Sequence, residues 1–194
     1  MLIGLPNFLT LSRIMVIPLL VGAFFLPAPF NNWISFGLFL AASATDYFDG
    51  WLARRLGQTS SLGRFLDPVA DKLLVAAAIV MLVWADRAPV VPALIILCRE
   101  ILVSGLREFL AELKVGLPVT QLAKWKTAAQ MLALCLLLVG LETPLADQIP
   151  VSLMEIGVAL LWIAAGLTAF TGYDYLRVAL RHILTPGATA ATRK

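Results

Sequence analysis

The sequence predicts an all-α protein that crosses a membrane six times and keeps both termini on the cytoplasmic side. Three observations carry that prediction. Hydrophobic residues make up 60% of the 194 and charged residues 14%, with a mean hydropathy of +0.90. A soluble domain is about 45–50% apolar and about 25% charged, and a folded core cannot absorb the difference, so lipid must solvate much of the surface. Second, apolar runs near the length of a membrane span, about 20 residues, recur between turn-forming breakers. Third, the positive residues gather at alternate junctions between those runs.

The runs fall at about 8–27, 32–56, 62–85, 89–113, 119–141 and 150–181. Pro27 and Pro29 close the first, and Gly57 closes the second. Pro89 and Pro92, then Gly116 and Pro118, then Pro144 and Pro150 separate the rest. The first run could be read as a signal peptide. No positive charge precedes it, Arg13 lies inside it, and no small-residue cleavage pattern follows, so it is kept as mature structure. The whole reads as one membrane domain, 1–185, with a small polar tail at 186–194 expected to be disordered. Arg54, Arg55 and Arg64 lie between the second and third runs. Arg107, Lys114, Lys124 and Lys126 flank the fourth junction, and Arg177, Arg181, Arg193 and Lys194 sit at the C-terminal end. The opposite junctions carry Arg87 beside Asp86, Glu142 and Asp147. The positive-inside rule makes the first set cytoplasmic.

Composition also narrows the chemistry. Cys98 and Cys135 both lie in apolar runs and read as small core hydrophobes. His182 is the single histidine, which removes histidine triads and histidine-rich metal sites. A metal here would need carboxylate oxygens, the ligands of hard cations such as Mg²⁺ or Mn²⁺. No nucleic-acid partner is expected. Trp33, Trp51, Trp84, Trp125 and Tyr173 sit near the ends of the runs, where an interfacial aromatic belt belongs.

The informative residues are acids in the wrong solvent. Asp46 and Asp49 end the second run, and Asp67 and Asp71 open the third. Each Asp costs about 2.5–3.5 kcal/mol at the centre of a membrane helix, so four facing lipid would cost on the order of 10 kcal/mol. They must turn inward and be neutralised. Spacings of three and four put each pair on one helix face, and a short connection makes the two helices antiparallel neighbours. Gly50, Ala53 and Gly63 remove bulk beside them, which lets a helix or a ligand phosphate approach. Two divalent ions would balance the four carboxylates. The alternative is an ion-pair network with Arg54, Arg55, Arg64 and Lys72 that only orients helices.

These residues form one pattern, D-x2-D-G-x2-A-R-x8-G-x3-D-x3-D, from Asp46 to Asp71. It resembles the signature of the CDP-alcohol phosphatidyltransferase family, without departure at any signature position. Members displace CMP from a CDP-linked lipid with the hydroxyl of a second alcohol. The resemblance implies that Asp46, Asp49, Asp67 and Asp71 build a two-metal site and that Asp71 is the general base. It also implies that Gly50, Ala53, Arg54 and Gly63 line the pocket for CDP-diacylglycerol, and that the protein is a homodimer. Asn7 and Thr10 with Arg13 read as a helix cap and an arginine reaching to the interface; the alternative places them at the rim of the nucleotide pocket.

The fourth run holds Arg99-Glu100 and Arg107-Glu108, and Lys124 and Lys126 open the fifth. Eight residues on a helix turn about 80°, so Arg99 and Arg107 can share a cavity and with Lys124 bind an anionic acceptor. The alternative is that Arg99–Glu100 and Arg107–Glu108 pair with neighbouring helices while the lysines are ordinary cytoplasmic flanks, the more natural reading for Glu100, Glu108 and Lys126. The run from Arg99 to Glu108, the stretch from Lys124 to Gln130, the opening from Leu5 to Arg13 and Leu66 to Lys72 are similar to the family branch that uses glycerol 3-phosphate. The resemblance therefore implies that acceptor. Inositol phosphate, serine and phosphatidylglycerol stand as alternatives, and a cation transporter using the Asp cluster is the reading from another class. Transport sites usually lie near the midplane on broken helices, whereas these acids lie at helix ends among phosphate-suited cations.

Overall fold

The computed structural model describes residues 5–56, 61–112, 121–140 and 152–184, with side chains described outside 5–10, 46–65, 67, 112 and 181–184. Six α-helices follow one another: α1 (Leu5–Ala23), α2 (Phe30–Leu56), α3 (Ser61–Trp84), α4 (Val90–Glu112), α5 (Gln121–Val139) and α6 (Leu153–Leu184). No strand occurs among the described residues. Each helix coincides with one apolar run to within about four residues at either end. At α1 the chain leaves the helix earlier than the prolines require. Phe24, Phe25 and Leu26 donate to Val21, Gly22 and Ala23 at 3.1–3.3 Å, a tightened last turn that satisfies terminal carbonyls. At α6 the start is a reciprocal cap. Ser152 Oγ accepts from the Met154 amide at 3.2 Å, and Glu155 Oε2 accepts from the Ser152 amide at 3.3 Å.

Helix α1 packs against α2 and α3, α4 packs against α6, and α5 lies along α6 and also touches α2 and α3. The core between them is mostly aliphatic, with Leu74, Leu82, Ile96, Leu134 and Leu161 around Phe39, all at most 1% exposed. Two hydroxyls inside apolar α2 are satisfied locally: Ser43 donates to the Phe39 carbonyl and Thr45 to that of Ala41, each at 2.8 Å. Where α5 meets α6, a Cβ on Gly157 would lie 2.9 Å from two side-chain carbons of Leu137. Gly157→Ala is therefore expected to destabilise the protein by about 1–3 kcal/mol through overpacking, read as a lower midpoint of thermal unfolding in detergent. An unchanged midpoint would mean that α6 can slide away freely.

The outer faces stay apolar. Met15, Leu19, Val80, Ile101, Leu132, Ile163 and Phe170 are all exposed, a perimeter larger than a water-soluble monomer carries and suited to lipid. Among the described residues, Gln121–Val139 and Leu153–Leu180 are long and apolar enough to cross a membrane by length and composition, and Leu11–Ala23 is a shorter apolar helix. Helix α4 carries Arg99, Glu100, Arg107 and Glu108. Of the aromatic belt residues, Trp33, Trp84, Trp125 and Tyr173 are exposed, and Trp84 stacks at a tilt on Phe25 with ring centres 5.1 Å apart. Trp51 lies outside the described side chains.

Two expectations need correction. Cys98 is exposed on an outer face of α4 and is no core residue, whereas Cys135 is half-buried and packs against the edge of the core. Arg13 does not reach out to the interface: it is 1% exposed, on a helix wedged against α2 and α3.

Candidate active site

The backbone brings the acidic motif to two helices in contact. Asp46 and Asp49 lie in the second half of α2, and Gly63, Asp67 and Asp71 in the first half of α3; α2 and α3 touch. The side chains of Asp46, Asp49, Gly50, Ala53, Arg54, Gly63 and Asp67 lie outside the described residues. Among the described residues no three potential ligands converge on a metal position. Asp71 is described; its carboxylate is exposed and opens onto a cavity.

That cavity, about 150 Å³, is walled by three helices. Helix α3 contributes Asp71 and Lys72, α4 contributes Arg99, Glu100 and Arg107, and α5 contributes Lys126 and Gln130. Four cationic side chains face two carboxylates, a formal excess of two positive charges. A phosphate monoester carries about −1.5 to −2, so the cavity suits one. Its volume holds several waters at about 10–15 Å³ each, the scale of a small polar molecule.

The cations are held in place by named partners. Glu100 bridges two of them: Oε1 accepts from Arg99 Nη1 at 3.3 Å and from Lys126 Nζ. Lys126 is 4% exposed, and a buried ammonium is tolerated only when paired. Arg99 Nη2 donates to Thr171 Oγ1 at 3.2 Å, and Arg107 Nη2 donates to the Tyr175 hydroxyl, also at 3.2 Å. Some bonding capacity is left over. Arg99 Nε and Gln130 Oε1 are buried without a hydrogen-bond partner, the condition in which buried polar groups commonly hold water or ligand.

Of the residues singled out from the sequence, Asp71, Arg99 and Arg107 come together here. Lys124 is exposed and does not line the cavity, whereas Lys126 does. Two residues turn an α-helix by about 200°, so one of the two lysines must face away. Glu100 does pair with a neighbouring helix, through Lys126 of α5, but Lys126 is buried in the cavity wall and is not an ordinary flank. Sequence reasoning missed α6 altogether. Thr168, Thr171 and Tyr175, spaced three and four apart and all buried, mark one polar face in an aliphatic helix, which was the available signal.

The family model described as CDP-alcohol phosphatidyltransferase matches residues 3–170. The chain is 45% identical over 179 residues to a CDP-diacylglycerol–glycerol-3-phosphate 3-phosphatidyltransferase of Rickettsia felis, covering 92% of this chain and 97% of that protein. It is 44% identical over 189 residues to a protein of the same description from Pseudomonas fluorescens, covering 95% and 94%. A cardiolipin synthase (CMP-forming) of Oryza sativa subsp. japonica is 39% identical over 197 residues, covering 94% of this chain and 59% of that protein.

Proposed function

This chain belongs to the CDP-alcohol phosphatidyltransferase family, and from that membership we propose that it transfers the phosphatidyl group of CDP-diacylglycerol to glycerol 3-phosphate. The products are phosphatidylglycerophosphate and CMP. The observation that carries the choice of acceptor is the cationic cavity that opens beside Asp71. The relatives described as glycerol-3-phosphate phosphatidyltransferases support it.

In this reading Arg99, Arg107 and Lys126 bind the acceptor's phosphate, with arginine forks matched to its oxygens. Gln130 offers its amide to the acceptor's remaining hydroxyl. Asp71 takes the proton of the attacking hydroxyl, for which it must come within about 3 Å. The attacking oxygen bonds to the lipid-side phosphorus, the bridging P–O bond breaks, and CMP leaves. Gly50, Ala53 and Gly63 make room for the CDP group, and Arg54 pairs with its diphosphate. Arg13, buried between α1 and the helices that carry the motif, fits the rim of the same pocket.

The donor set fits a metal. Asp46, Asp49, Asp67 and Asp71 are all-oxygen ligands on two touching helices, the chemistry preferred by Mg²⁺ or Mn²⁺. Two such ions, when bound, would neutralise charge on the bridging and leaving oxygens. The same reading takes all six helices as membrane spans of one domain, 1–185, followed by the tail at 186–194. It puts both termini and the site on the cytoplasmic side of a bacterial cytoplasmic membrane, and the functional unit is a homodimer. The basic residues at alternate junctions support that orientation.

The test is CMP release by purified protein from CDP-diacylglycerol with Mg²⁺, acceptors being supplied singly. Release with glycerol 3-phosphate, abolished by chelator, is the expected result. Release with phosphatidylglycerol instead would favour the second reading, motivated by the cardiolipin synthase relative, and would remove the stated substrate. No release with any acceptor from folded, metal-supplied protein would return the acids to a structural or transport role.

A further inference from the structure

We propose that Tyr175 of α6 is a positioning residue for the acceptor's phosphate, acting through the two guanidinium groups that receive it. The inference rests on the cavity being the glycerol 3-phosphate site. Tyr175 does not itself line that cavity; it stands behind Arg99 and Arg107. Both arginines come from α4 and carry like charge; Glu100 of α4 pairs with Arg99, and the contact the two arginines share comes from α6. The Tyr175 ring centre lies 5.8 Å from Arg99 Cζ and 5.3 Å from Arg107 Cζ. The negative potential of an aromatic face attracts guanidinium at such distances, so one ring offsets the repulsion between the two charges. Its hydroxyl also accepts from Arg107 Nη2 at 3.2 Å. The ring is 6% exposed, and its attraction is therefore little weakened by solvent.

The rest of the same helical turn serves the same pair. Thr171, four residues before Tyr175 and so on its face, donates its hydroxyl proton to the Leu167 carbonyl at 2.9 Å. Its oxygen is thereby left to accept from Arg99 Nη2. Gly172 lies where a Cβ would come 2.9 Å from Arg99 Cγ, so α6 approaches this closely only without a side chain there. Thr171, Gly172 and Tyr175 together set where Arg99 and Arg107 point.

The test compares wild type, Tyr175→Leu and Tyr175→Phe in the CMP-release assay, varying each substrate in turn. Tyr175→Leu is expected to raise KM for glycerol 3-phosphate about tenfold, with kcat and the KM for CDP-diacylglycerol within about twofold of wild type. Tyr175→Phe keeps the ring and is expected to recover most of that loss. A residue that merely packs the core would move both substrates, or kcat, together. If Tyr175→Leu does not fold, Gly172→Ala decides: displacement of Arg99 predicts the same selective rise. An unmoved acceptor KM in the folded variant, or a parallel loss for both substrates, overturns the inference alone. A wild type inactive with glycerol 3-phosphate overturns the proposed substrate, and the inference with it.

Discussion

Asp71→Asn is expected to lower CMP release by about 10²–10⁴-fold, the contribution typical of a positioned general base. The amide preserves shape and hydrogen-bonding reach but has neither negative charge nor basicity. Asp71 lines the cationic cavity, where an acceptor hydroxyl would need its proton removed. It is exposed, so the substitution should leave folding intact, and an unchanged thermal midpoint is part of the expected result. Metal titration separates its two proposed roles. If the loss came from weaker metal binding alone, raising Mg²⁺ would restore the rate. Loss of the base leaves the rate low at every Mg²⁺ concentration. A drop of less than tenfold would move the base to another acid of the motif.

The second prediction sets two neighbouring lysines against each other. Lys126→Met is expected to lower kcat/KM for glycerol 3-phosphate about 10–100-fold, the scale of a lost charge-assisted hydrogen bond. Lys124→Met is expected to stay within about twofold, as surface substitutions away from special features usually do. Lys126 is buried and paired with Glu100, whose side chain is only 22% exposed. Removing the lysine strands that carboxylate beside Arg99, and breaking a buried pair from one side costs about 3–5 kcal/mol when both groups are fully buried. Because Glu100 retains Arg99 and some solvent contact, the stability loss should be smaller. Glu100→Gln combined with Lys126→Met should therefore recover stability without recovering acceptor affinity. Equal effects of the two lysines on kcat/KM would mean that the phosphate is bound outside this cavity.

Much of the protein was legible without coordinates. The six helices and their order follow from local signals, apolar runs of span length separated by clustered prolines and glycines, although Pro18 and Pro68 lie inside α1 and α3. The acidic motif and the arginines of α4 were legible because charge in an apolar run is costly enough to require a function. Helical periodicity also allowed Arg99 and Arg107 to share a cavity, as they do. Periodicity relates residues within one helix, however, and says nothing of which direction the helix faces. The rotation of α5 is set by packing Leu134, Leu137 and Leu138 into the core, and that rotation turns Lys126 to the cavity and Lys124 outward. Burial of Arg13 depends likewise on α1 lying against α2 and α3. The brace on α6 was the least legible part. Thr171 and Tyr175 meet Arg99 and Arg107 across 72 and 68 residues of chain, and no local pattern encodes a contact whose two halves meet only when α4 packs on α6.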